Sequence, residues 1–305
     1  KGIRITSSKN ISVYAFNNRV NSADAAIILP TSSLGNSYYG QSYFEEPPSN
    51  DFPGTNDSPS QLLIVSPQDG TSVEITPAAD VINGNRRGET YRIQLDEGEI
   101  YQIQSQGDLT GTLINSYDAN DNQNCLNVAV FGGNKWTRVT GGQNCGVILA
   151  NGQNWSGGYA GDHLFEQMFP INSWGKTFLS TPIELRNNYV YRIIAAEDNT
   201  IFAINGLEQD PLNAGEYEDS VASDAVFVES NLPISIAQFS SSVSCDNRST
   251  QGDGDPWMLI LSPIEQRLQE ITFNALFTQN IREYFLTIIG DQSSLFETTI
   301  NGDPL

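Results

Sequence analysis

The sequence predicts an all-β chain built from a repeated unit. Three observations carry that reading. Apolar and polar residues alternate at period two across most segments, clusters of Gly, Asn, Asp and Pro separate those segments, and one strand with a proline exit recurs. The recurring stretch is clearest at Gly161-Asp162-His163-Leu164-Phe165-Glu166-Gln167-Met168-Phe169-Pro170. Eight residues separate Asp162 from Pro170, and eight separate Asp255 from Pro263. Asp24-Ala25-Ala26-Ile27-Ile28-Leu29-Pro30 has the same shape, with Ser22 at the eight-residue offset.

Taken in order, the segments 11–16, 71–76, 91–95 and 100–104 read as half-buried strands. Only 264–270 has a composition suited to a helical turn or two. Two half-units alternate. The first runs from a Ser through a strand ending in Phe (Phe16, Phe131, Phe239) to the Asp-to-Pro strand and a further strand. The second opens with an apolar strand seven residues before an Asp: Leu62 to Asp69, Tyr191 to Asp198, Tyr284 to Asp291. Asp-Gly-Thr and Asp-Asn-Thr turns follow the first two, and then Gly98-Glu99-Ile100-Tyr101 and Gly215-Glu216-Tyr217 hairpins.

The half-units fall at 1–57, 60–113, 114–184, 189–226, 228–276 and 281–305, with the last stopping before its hairpin. Paired, they form units at about 1–113, 114–226 and 228–305, read as one repeat-built domain that is a fragment of a longer chain. Three copies of roughly 110 residues suggest a pseudo-threefold body of packed sheets or blades, with consecutive β-sandwiches as the alternative. The proline-rich stretch 45–60 reads as a surface crossing, and the Gly- and Asn-rich stretch 140–161 as a long loop able to bind.

Net charge is −21, with no basic patch, which argues against nucleic acid or an anionic membrane as partner. No apolar run reaches the roughly 18 residues of a membrane helix. Three cysteines do not make a disulfide scaffold. Cys125 and Cys145 flank a hairpin and could pair, leaving Cys245 single; the other two pairings stay open.

Five motifs occur in a telling order: Ile11–Phe16, Ala129-Val130-Phe131-Gly132-Gly133-Asn134, Asp162–Gln167, Trp174-Gly175 and Gly254-Asp255-Pro256-Trp257-Met258. Together they resemble the N-terminal domain of the IgG Fc-binding protein family, over nearly the whole chain. The resemblance implies an extracellular module of a large secreted or surface protein, of adhesive role in bacteria. Acidity, high Asn and few lysines fit a bacterial surface protein. The family pattern has a cysteine shortly after Gly-Gly-Asn and another directly before Asp-His-Leu, where this chain has Trp136 nearby and Gly161. These departures fall on the family's disulfide arrangement.

Candidate sites are few. His163, the only histidine, has Asp162 and Glu166 nearby, but a period-two strand puts Asp162 and His163 on opposite faces, and no Gly-x-Ser-x-Gly elbow occurs. One histidine with scattered cysteines supplies a zinc site poorly. Calcium suits the oxygen-rich loops better: Asp118, Asn120 and Asn122 in one, and Asp246, Asp253 and Asp255 in another. The same residues are also ordinary turn formers. Trp155, Trp136 and Tyr159, with His163, are the candidate ligand-binding residues, since aromatic faces beside Asn and Asp suit sugars.

The expected function is an adhesion or binding module, not an enzyme, that engages a glycoprotein, polysaccharide or cell surface, with Ca2+ as its one candidate cofactor. The competing readings are a glycan hydrolase using paired carboxylates and a structural spacer.

Overall fold

A computed structural model describes residues 1–19, 22–45, 58–142, 147–148, 154–155, 161–242, 245, 255–275 and 284–304. The chain forms two compact units, Lys1–Leu268 and Gln269–Leu305. It is all-β, as its alternating pattern requires.

In the larger unit, β1 (Val13–Arg19) and β2 (Ser22–Ile28) pair antiparallel, Phe16 opposite Ala25. The next strands are β3 (Ser37–Tyr39), β4 (Ser60–Val65), β5 (Thr71–Thr76), β6 (Tyr91–Leu95) and β7 (Ile100–Ser105). Then come β8 (Leu113–Asp118), β9 (Asp121–Cys125), β10 (Ala129–Thr137), β11 (Val147–Ile148) and β12 (Asn154–Trp155). The unit continues through β13 (Asp162–Gln167), β14 (Gly175–Ser180), β15 (Tyr189–Ala195), β16 (Phe202–Ile204) and β17 (Leu207–Glu208). Its last strands are β18 (Tyr217–Ala222), β19 (Val226–Ser240) and β20 (Met258–Ile260). Strands β5 and β6 coincide with the stretches read from alternation; β1 starts two residues later than its apolar pattern and runs past Phe16.

One sheet has the order β13-β10-β4-β7 and another contains β20-β19-β15-β18, all antiparallel. Their inward faces form the core. In β4 the alternation puts Ser60, Leu62 and Ile64 inside, where Leu62 and Ile64 pack with Val130, Leu164 and Phe239. Strand β15 has no polar face: all seven of its residues are buried. Gly132 and Gly133 allow the backbones to close up, because a Cβ on Gly132 would fall 2.0 Å from the Gln41 carbonyl oxygen. One on Gly133 (φ +149°) would fall 1.8 Å from that of Leu164.

The proline exits share one geometry. Pro30, Pro170 and Pro263 have φ/ψ of −64/152°, −65/150° and −68/153°, each opening a three-residue 3-10 turn. The prolyl carbonyls accept from Ser33, Ser173 and Gln266 N–H at 2.9, 2.9 and 3.0 Å. Proline supplies the fixed φ and has no N–H of its own to satisfy at this exit. The third turn is the helical element expected within 264–270. Five residues beyond Pro30, Gly35 lies against Pro170; five beyond Pro170, Gly175 lies against Pro263.

The recurring acidic motifs are staples. Asp69 accepts from Glu97 N–H at 2.9 Å and Asp198 from Ala214 N–H at 3.0 Å, each tying one turn to the next hairpin. Glu99 and Glu216 accept from the N–H three residues earlier, at 3.0 and 2.8 Å.

Cys125 is a free, exposed thiol and Cys245 is disulfide-bonded, which excludes a Cys125–Cys145 bridge. Cys125 ends β9, an exposed strand that pairs with β8 among the described residues.

The smaller unit, described by itself, holds a single helical turn, α1 (Gln292–Leu295), and a hairpin of β21 (Thr299–Ile300) and β22 (Asp303–Pro304). Asn301 and Gly302 (φ 54° and 91°) form its turn, the pairing of residues that tolerates two positive φ values. Tyr284, Phe285, Leu286, Ile288 and Ile289 are exposed and outside any strand.

Candidate functional site

The stretch around His163 forms a bridge between strands. β2, β13 and β20 belong to three different sheets, so their facing backbone groups need other partners. Asp24 supplies them. Its carboxylate accepts from Ala25 N–H at 2.8 Å and Phe165 N–H at 2.9 Å, and also from Met258 N–H. These three donors each lie five residues before a proline, Pro30, Pro170 or Pro263. Asp162 does the same two residues earlier, accepting from Ala23 N–H at 3.0 Å and His163 N–H at 2.6 Å. The corresponding residue on the third segment is Pro256, which has no N–H to offer.

Burial dominates the titration of this bridge. It pushes Asp24 up to about 7 despite its backbone donors, with Asp162 nearby adding to the rise. It pushes Glu166 up to about 8, Asp24 again contributing. Asp255 is also raised, first by burial and then by Asp162. His163 is engaged by the protein: Nε2 lies 3.1 Å from Asn17 Nδ2 and Nδ1 lies 3.3 Å from the Lys135 carbonyl oxygen. Its ring stacks on Phe165, which stacks on Phe131 at 5.3 Å.

The first oxygen-rich loop is the β8–β9 turn. Asp118 accepts from Asn120 N–H at 2.8 Å, Asp121 accepts from Gln123 N–H at 3.1 Å, and Asn122 is exposed. Asp246 and Asp253 lie outside the described residues, so only Asp255 of the second loop is placed. No group of three or more His, Cys, Asp or Glu that could hold a metal occurs among the described residues. Trp155 pairs opposite Val147 in a two-residue ladder, and Tyr159 lies outside the described residues.

The structure adds a site that the sequence reading missed. A cavity of about 920 Å³ opens beside the Gly215-Glu216-Tyr217 hairpin, lined by Asp80, Arg87, Asp108, Glu216, Tyr217 and Asp219, with Arg192 at its base. Arg192 is 2% exposed and fully bonded. Its Nε and Nη2 donate bidentately to Asp219 at 2.6 and 2.7 Å. Nη1 donates to Asp108 Oδ2 and the Ser42 carbonyl, both at 2.7 Å, and to Thr110 Oγ1 at 2.6 Å. The guanidinium lies 4.1 Å from the Tyr217 ring centroid and 5.3 Å from that of Tyr43. Burial works to raise Asp108, yet Arg192 and the Ser42 and Thr110 donors hold its carboxyl below the usual range. The cavity wall is therefore a fixed set of carboxylates around a neutralised cation. One signal could have found it: a lone arginine inside the otherwise apolar run Tyr189–Ala195. A buried charge of that kind needs partners.

Comparison with known proteins now decides the family. The family model for IgGFc binding protein matches residues 24–304, nearly the whole chain. The chain belongs to that family. It is thus an extracellular binding module of the IgGFc-binding type, as its five ordered motifs imply. No curated protein matches it. Among solved structures, an anti-sigma factor domain-containing protein aligns over 75% of this chain and 82% of its own, at 9% identity. Its TM-score of 0.18 carries no argument.

Within the IgGFc-binding pattern, the two departures noted in the sequence touch each other. A Cβ on Gly161 would lie 2.4 to 2.6 Å from the Trp136 indole. Trp136 is half-buried on β10, and Gly161 provides the flat floor beneath its ring. Gly161→Ala is expected to lower stability by about 1–3 kcal/mol through overpacking, read as a shift in urea midpoint; an unchanged midpoint would show that the indole moves freely.

Proposed function

We propose that this chain is an adhesive module that binds a glycoprotein or glycan of a cell or mucus surface through the cavity at Arg192. The observation that carries the reading is the cavity itself. Its 920 Å³ falls within the range of small-ligand sites. Its wall combines exposed carboxylates and an arginine with the apolar Ala78, Ala79 and Leu212. Carboxylates accept hydrogen bonds from sugar hydroxyls, and side chains already fixed by Arg192 lose little freedom on binding. A hydrolase would need a carboxylic acid kept protonated there. Asp108 is instead held ionised, which favours binding over hydrolysis. Calcium, if used, would act through the Asp118 and Asp255 loops.

The test is binding of the purified protein to immobilised mucin, a polysaccharide panel and IgG Fc, with calcium and with EDTA. Glu216→Gln and Asp80→Asn change exposed cavity groups with little loss of bulk. Saturable binding weakened about tenfold in each is expected, since a charge-assisted hydrogen bond contributes roughly 1.5 kcal/mol or more. Loss of binding in EDTA would add calcium to the reading. Full affinity in both variants would move the ligand elsewhere on the chain.

A further inference from the structure

The cavity at Arg192 has a sign, and the sign narrows its ligand. The carboxylates of Asp80, Asp108, Glu216 and Asp219 line it, against the guanidiniums of Arg87 and Arg192. Arg192 is committed inside the wall. Asp108 and Asp219 both bond to it, so that triad keeps one negative charge in excess. Of the remaining charges, Asp80 and Glu216 stand against Arg87 alone, which leaves a second. Beside the cavity, Glu218 is raised first by burial and then by Asp210 and Asp219, so like charges crowd this end of β18.

The two carboxylates outside the triad are held in place. Asp80 Oδ1 accepts from Arg87 N–H and Glu216 Oε2 from Asn213 N–H, both at 2.8 Å. Both residues are exposed, and each keeps its other oxygen without a partner among the described residues. Arg87 by itself would suit an anionic group. It stands beside Asp80, however, whose carboxylate its own backbone N–H holds, so an anion placed there meets that charge as well.

We infer, resting on the reading of this cavity as the binding site, that its ligand is a glycan with unacetylated amino sugars, whose protonated amines are accepted by Glu216 and Asp80. An ammonium brings a positive charge and three donors to a wall whose free carboxylate oxygens are acceptors. An N-acetyl group brings no charge and a single donor, and a sulfate or carboxylate brings charge of the wrong sign. A lysine side chain carries the same ammonium, but 920 Å³ is large for one straight chain and suits an oligosaccharide. Sugar ring faces gain apolar contact from Ala78, Ala79 and Leu212. The net charge of −21 draws such a ligand in from a distance.

Calorimetric titration of the whole chain tests this with a glucosamine oligomer, its fully N-acetylated counterpart and a sulfated oligomer of equal length. The glucosamine oligomer should bind roughly tenfold or more tightly than either, and should weaken as salt is raised. Glu216→Gln should cut that affinity about tenfold, the loss of a charge-assisted bond. Arg87→Gln decides the sign. It deepens the negative excess and should tighten the glucosamine oligomer about threefold or more, whereas a site for anions would weaken. If the N-acetylated or sulfated oligomer binds best and Glu216→Gln still weakens it, the amine is wrong and the cavity remains the site. Glucosamine binding that neither variant changes would be attraction to an acidic surface at large, and would overturn the cavity along with the amine. Oligolysine of equal charge that binds as tightly would overturn the sugar, and so would an absence of glucosamine binding altogether.

Discussion

Arg192→Met is expected to lower the unfolding free energy by about 3–5 kcal/mol, the cost of removing one partner from a buried ionic network. The substitution keeps most of the apolar stem but leaves Asp108 and Asp219 facing each other across a space that held five donated hydrogen bonds. The Ser42 carbonyl and Thr110 hydroxyl each lose one donor, keeping only the bonds from Thr110 Oγ1 and Ser42 N–H. Lysine would not rescue it, since a single ammonium cannot make the bidentate pair with Asp219 while also reaching Asp108. The triple variant Arg192→Met, Asp108→Asn, Asp219→Asn should recover much of the loss, because no uncompensated carboxylate then remains. Urea midpoints for the three proteins decide the matter; equal loss in single and triple variants would mean that packing, not charge, sets the cost. The acid side of the profile has a definite sign. Asp108 is depressed in the fold, so its contribution is present above the unfolded value near 3.9 and lost as pH falls through the folded one. Wild type should lose that stability on acidification, and the triple variant should not.

The fold class was legible because alternation survives burial. β5 and β6 were read to the residue, since each has one apolar and one polar face between clear turn signals. β15 is harder to read: buried on both faces, it shows no alternation. The cavity was illegible for a deeper reason. Asp108, Arg192 and Asp219 are 84 and 27 positions apart along the chain, so the lone arginine of β15 signals a need for partners without saying which carboxylates meet it in the fold. The Asp-to-Pro stretch is the clearest recurrence in the sequence, and in the fold it bridges three sheets. Its role follows from backbone donors that no ladder serves, a requirement that exists only once the sheets have formed.

Asp24→Ala is expected to match the loss at Arg192, about 3–5 kcal/mol, because three backbone N–H groups bonded to the 8% exposed Asp24 lose their acceptor together. Ala25, Phe165 and Met258 come from three different segments, so the loss falls on the junction of three sheets rather than on one loop. Asp24→Asn keeps one acceptor and should cost less. The pH dependence runs opposite to that of Asp108. Burial raises Asp24 to about 7 and Glu166 to about 8 in the fold, above unfolded values near 4. Such groups favour the folded state fully below the unfolded value, and that contribution is lost as pH rises through the folded one. Wild type should therefore be more stable at pH 5 than at pH 9, with a slope approaching about 1.4 kcal/mol per pH unit for each group within its window. Asp24→Asn, which is neutral throughout, should show a shallower slope than wild type between pH 5 and 7. If the urea midpoint of wild type does not change from pH 5 to 9, Asp24 is ionised throughout, its three N–H donors outweigh its burial, and the bridge holds as a carboxylate at every pH where the protein folds.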